Sequence, residues 1–92
     1  MNFMVYKGYP LVRKGNEMYL GFMSDPYVVM LRADKTKKVR NYYVAQQVQL
    51  YLMSTDENLS PIEATVKNGE RDNLYDALDM AVTWLEKKNK KS

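Results

Sequence analysis

The stretch from Asp72 to Lys88 (DNLYDALDMAVTWLEKK) repeats its apolar residues at helical spacing. At about 100° per residue, Leu74, Leu78, Ala81 and Leu85 fall on one line of a helical wheel. Ala77 and Trp84 flank that line on one side, Tyr75 and Val82 on the other, and Met80 lies at the border. Asp76, Asp79, Thr83 and Glu86 share the opposite face. An apolar stripe covering half the circumference is wider than a coiled-coil seam and suits a helix lying on a sheet. Acids gather at the start (Glu70, Asp72, Asp76) and lysines at the end (Lys87, Lys88, Lys90, Lys91), as the helix dipole favours. Asn68-Gly69 reads as a break upstream, and Asp72 or Asn73 as the cap.

The preceding residues carry the two-residue period of strands. Tyr9 to Arg13 predicts a strand, followed by a Gly15-Asn16 turn. Glu17 to Met23 alternates, with Met18, Leu20 and Phe22 on one face and Tyr19 on the other. Ser24-Asp25-Pro26 signals a turn. Tyr27 to Ala33 (YVVMLRA) is rich in β-branched residues and predicts the next strand. Asp34 to Lys38 (DKTKK) reads as a polar connection. Val39 to Met53 predicts one long strand, or two with a bulge near Gln46-Gln47, ahead of a helix as the rival. Ser54 to Ser60 reads as loop. Ser60-Pro61-Ile62-Glu63 fits a capping box, favouring a short helix or turn toward Lys67 over a last strand through Ile62, Ala64 and Val66. The expectation is an α+β fold: an antiparallel sheet of four to five strands with one long C-terminal helix on one face. All 92 residues form a single domain, with 89–92 a frayed tail.

Composition narrows the chemistry. The chain has no cysteine, hence no disulfide, thiolate nucleophile or zinc–sulfur site. It has no histidine, the commonest general base near neutral pH and the commonest metal ligand. No apolar run is long enough to span a bilayer, and no signal-peptide pattern opens the chain, so a cytoplasmic setting is expected. Serines occur at 24, 54, 60 and 92, with nothing beside them marked as an activating base. The four glycines match no nucleotide-binding fingerprint. Asp56-Glu57-Asn58 fails as a calcium loop, because the position that needs glycine is Pro61. No catalytic, cofactor or metal residue is assigned.

Charge is unevenly spread. From Ser54 to Glu86 there are eight acids and two bases, a net of −6; with +3 for the whole, the remainder carries +9. Two sets of residues are candidates for contact. Lys35, Lys37, Lys38 and Arg40, with Tyr42 and Tyr43, are a basic, tyrosine-rich set suited to nucleic acid or an acidic partner. The plainer reading, strand tyrosines among charges that discourage edge pairing, ranks ahead of it. Asp72, Asp76 and Asp79 form an acidic stripe: a solvated face first, a protein-docking face second, a cation site a distant third.

The segments MSTDENLSP and LYDALDMAVTWLE, with YVVML, resemble short uncharacterised bacterial proteins, some of them from mobile elements. The resemblance implies a bacterial, cytosolic chain and carries over no activity, cofactor or site. The functional expectation is a small non-enzymatic protein-interaction or regulatory domain, able to self-associate or to meet another protein. Nucleic-acid binding through the basic, tyrosine-rich sheet face is the alternative.

Overall fold

The computed structural model describes residues 2–39 and 42–89, with side chains at 4–33 and 47–89. Six strands form one antiparallel sheet in chain order: β1 (Asn2–Tyr6), β2 (Tyr9–Lys14), β3 (Glu17–Leu20), β4 (Tyr27–Val39), β5 (Tyr42–Ser54) and β6 (Thr65–Arg71). A one-turn helix, α1 (Pro61–Ala64), precedes β6, and the long helix α2 (Leu74–Lys88) closes the order. The α+β architecture matches the sequence reading, with one or two strands more than the count expected from it.

The additional strand at the front is β1, paired with β2 from Asn2↔Arg13 to Tyr6↔Tyr9. Its turn is Lys7-Gly8, both at positive φ (49° and 87°), the backbone that matches the twist of a two-residue hairpin. Lysine rarely adopts that conformation, so the turn leaves little trace in sequence. The Gly15-Asn16 turn forms as expected, with Gly15 at φ 61°. β3 is shorter than the alternation through Met23 predicts. It ends at Leu20 because Gly21, at φ 124°, turns the chain away, and Phe22 and Met23 lie beyond it, exposed.

The polar stretch Asp34 to Lys38, read as a connection, is strand. β4 continues to Val39, and its backbone pairs with β5 at Lys37↔Val44, Lys38↔Tyr43 and Val39↔Tyr42. Ladder hydrogen bonds come from main-chain groups, so a neighbouring strand overrides a charged composition. β5 is one long strand rather than two. The register slips between Ala33↔Val48, Lys35↔Gln47 and Thr36↔Ala45, which skips Gln46 where the alternation lapses.

Between β5 and β6 both rival readings of residues 60–67 hold in part. Ser60 Oγ accepts from the Glu63 N–H at 3.3 Å, and the Ser60 N–H donates to Glu63 Oε1 at 3.2 Å. This box closes one helical turn, and the chain then extends as β6. Asn68-Gly69 is therefore not a break but the middle of a strand, in register with Tyr51 and Leu50. A Cβ on Gly69 would come 3.3 Å from the Trp84 ring. The glycine gives the indole its seat against the sheet, and Lys67 Nζ caps the ring 5.0 Å from its centroid.

α2 packs on one face of the sheet. Its Ala77, Leu78, Ala81, Val82, Trp84 and Leu85 meet Leu11, Leu20, Val29, Leu31, Val48, Leu50 and Leu52 from the strands. Asn73 is the cap, its side chain accepting from the Asp76 N–H at 2.9 Å. Two positions depart from the wheel. Leu74, placed on the buried line, is 36% exposed, and Tyr75 is 76% exposed. They open the helix directly off the edge strand, where there is less sheet to cover them. Asn89, expected in a frayed tail, is held: its side chain accepts from the Tyr27 N–H (3.0 Å) and donates to the Tyr27 carbonyl (3.1 Å). The rest of that tail, 90–92, lies outside the described residues.

This packing orders two truncations. Leu85 is fully buried, so Leu85→Ala is expected to cost about 2–5 kcal/mol. Leu74→Ala, at the margin, is expected to cost less than about 1 kcal/mol. Urea denaturation followed by Trp84 fluorescence measures both, and equal costs would contradict the packing described.

Candidate functional site

The basic, tyrosine-rich set falls on the far part of the β4–β5 hairpin. Lys35, Lys37 and Lys38 are on β4, and Tyr42 and Tyr43 on β5, as backbone positions. Arg40 and the side chains of all six residues lie outside what is described. The last registered partners of these two strands elsewhere in the sheet are Arg32, opposite Glu17, and Val48, opposite Arg71. Beyond them β4 and β5 pair with each other as a two-stranded ribbon.

The acidic set is placed on three different footings. Asp72 precedes the helix and is exposed. Asp76 sits in the first turn, where Asn73 both accepts from its N–H and donates to Asp76 Oδ2 at 2.9 Å. Asp79 reaches across to the first hairpin: Tyr6 Oη donates to Asp79 Oδ1 at 2.7 Å and Lys7 Nζ at 2.8 Å. One carboxylate thus clamps the β1–β2 turn to the middle of α2. The Lys7 hydrogen bond, then that of Tyr6, holds the Asp79 carboxyl below the usual carboxylate range. The same contact raises Lys7 and Tyr6.

A third set escapes a reading that assigns one buried face per strand. Side chains of adjacent strand residues point to opposite faces. The residues between the core positions therefore face away from α2, and the register lines them up across the sheet. One row runs Val12, Tyr19, Met30, Tyr51, Asn68, through Val12↔Tyr19, Tyr19↔Met30, Met30↔Tyr51 and Tyr51↔Asn68. Tyr19 is 37% exposed, and Val12, Met30 and Tyr51 are only partly buried. The neighbouring row is polar: Lys14, Glu17, Arg32, Gln49, Glu70. It is knitted together by Arg32 Nη2 donating to Glu17 Oε2 at 2.8 Å and Gln49 Nε2 donating to Glu70 Oε2 at 2.9 Å. Tyr19 Oη joins the two rows by donating to Glu17 Oε1 at 3.3 Å. Arg32 above all, and Tyr19 after it, lower the Glu17 pKa, so this carboxylate stays charged beside the apolar row. The signal was present in the sequence: Val28 and Met30, and Tyr51 and Met53, are apolar on the strand face that does not meet the helix.

A shallow open cleft of about 290 Å³ lies beside the end of α2, lined by Tyr9, Asp25, Leu85, Glu86 and Asn89. Burial first, then the charges of Glu86 and Asp25, push the Tyr9 hydroxyl up. Among the described residues no three acidic side chains converge as a cation site, and no helix is long and apolar enough to cross a membrane.

The Asp79 clamp sets a pH dependence. A carboxyl whose folded pKa is depressed contributes fully above its unfolded value, about 3.9, and loses that contribution as pH falls through the folded one. Lys7, whose folded pKa is raised, contributes fully below its unfolded value of about 10.4 and loses it above. Asp79→Asn is therefore expected to lower the Tm most between about pH 5 and 9, with the difference from the unsubstituted chain shrinking on either side. Thermal melts across that range measure it, and a difference independent of pH would show that the charge of Asp79 contributes nothing. No family model matches the chain, and no match is found among curated proteins or among solved structures.

Proposed function

We propose that this chain is a small non-enzymatic interaction domain, regulatory in role, that docks a protein surface through the sheet face turned away from α2. One observation carries the reading: the registered row Val12–Tyr19–Met30–Tyr51, which sets partly open aliphatic and aromatic side chains side by side across four strands. Tyrosine and methionine are what protein interfaces favour over the rest of the surface, the first rigid and amphipathic, the second adaptable. The partner's chemistry follows from the two rows together. It offers an apolar strip bordered on one side by charges of both signs, to meet Lys14, Glu17, Arg32 and Glu70. The lack of histidine and cysteine supports a binding role over a catalytic one. A cytoplasmic setting goes with it, since a chain without cysteine draws nothing from an oxidising compartment, and the resemblance noted above implies a bacterial one.

The test is site-specific cross-linking in the native host cell. A photoreactive phenylalanine analogue at Tyr51 is expected to give one discrete adduct, lost when Met30→Lys is added. The same analogue at Thr83, on the exposed side of α2, is expected to give none. Absence of an adduct from position 51 removes the reading.

A second reading has separate support in the β4–β5 ribbon. Its β4 segment, Lys35 to Val39, has three lysines in five residues, and Tyr42-Tyr43 follow on β5. A two-stranded ribbon is of a width that the DNA major groove admits. Under this reading labelled oligonucleotides bind at low salt, and the affinity falls with salt at a log–log slope of about −0.9 per phosphate neutralised on duplex DNA. Lys37→Ala with Lys38→Ala then shallows the slope by about two. No mobility shift at low salt on single or double strands would end it.

A further inference from the structure

We infer that the occupant of the open sheet face is a second copy of this chain, packed face to face about a two-fold axis running along β4. The inference rests on the docking reading above. In such an isologous contact each strand lies over the strand equally far from the axis on the other side. The sheet follows chain order, so β3 and β5 stand one strand from β4, and β2 and β6 stand two. The apolar row then meets itself reversed: Tyr19 faces the partner's Tyr51, and Met30 faces the partner's Met30. The polar row does the same, and Lys14 at one end faces the partner's Glu70 at the other, twice per dimer.

The order of charges selects this axis. Along the polar row the signs run Lys14 positive, Glu17 negative, Arg32 positive, Gln49 neutral, Glu70 negative, with unlike charges at the two ends. Turned about an axis across the strands, the polar row would instead lie over the partner's Val28 and Met53, which flank the apolar row on its other side in register. That arrangement takes charges out of water with nothing to pair them. Along β4, the polar row meets the polar row, and Tyr19, Met30 and Tyr51 meet one another, with Val12 over the partner's Asn68 at each end. Arg32 comes nearest its own copy at the axis, and its Nη2 is turned sideways, 2.8 Å from Glu17 of the same chain. Gln49 does for Glu70 what Arg32 does for Glu17, fixing the carboxylate at the rim at 2.9 Å. Lys14 and Glu70 of one chain are four strand spacings apart, about 19 Å, so a contact between them is intermolecular.

The size of the face sets the strength. Two rows deep and five strands wide, since Val28 in the next row is already buried, it outlines about 320 Å² on each copy, or about 650 Å² for the pair. That is below the usual range for specific interfaces, so a weak dimer with a dissociation constant on the order of 100 µM or above is expected.

Sedimentation velocity on the purified chain tests this, with Trp84 emission as the check that each variant is folded. A monomer–dimer equilibrium in that range is expected, with Met30→Lys monomeric throughout. Lys14→Glu and Glu70→Lys are each expected to weaken the dimer about three- to tenfold, and the double variant to recover most of the loss. A dimer without that recovery overturns the axis. A monomer at every concentration, while position 51 still cross-links to a different protein in cells, overturns self-pairing and leaves the docking reading standing. A monomer with no adduct overturns both.

Discussion

The burial of one side of α2 on the middle of the sheet is the contact on which the rest of the molecule depends. Leu85, Ala81 and Ala77 are fully hidden, as are Val29, Leu31, Leu50 and Leu52 beneath them. A domain this small buries little more than about 60% of its unfolded surface, so there is one core and it lies here. The two alanines let the helix come close to the strands, and the absence of a side chain at Gly69 seats Trp84 on β6. The Asp79 clamp and the Asn89 bonds to Tyr27 then fix α2 at its middle and its end.

One helix covers one face. The strands carry apolar residues on both, and on the face turned away from α2, where Val28 is buried, the remaining side chains have to be compatible with water. The side chains there suit that demand. Tyrosine carries a hydroxyl at the end of an apolar ring, and Tyr19 uses it on Glu17. In the adjacent row Arg32 is tied to Glu17 and Gln49 to Glu70, so each of these two carboxylates has a hydrogen-bond partner on the sheet. At the β6 edge, Lys67, Glu70 and Arg71 discourage a further strand from adding there.

Where the sequence could be read, the signal was local. The capping box at Ser60 and Glu63, the Gly15 turn and the stripe of α2 each depend on residues within a few positions of one another. Six strands were formed against an expected four to five because two of the missed features have no local mark. Lys7 holds positive φ only because the hairpin around it requires it. Thr65 to Arg71 is polar and contains a glycine, yet it extends because β5 offers it a ladder. Of the candidate contacts, the acidic residues were visible, but that Asp79 is engaged by Tyr6 and Lys7, more than seventy residues earlier, was not.

What the sequence determined by itself is the alternation of period-two and helical segments, and with it the class of fold, because each period is a property of neighbouring residues on one backbone. The register decided the rest. Val12, Tyr19, Met30 and Tyr51 are scattered over forty positions of the chain. They become one row only when four strands pair in a particular alignment, and a slip of one residue in any strand would send its member to the other face. That alignment is set by the turns and by the core beneath α2 acting together, which is a property of the whole fold and of no segment within it.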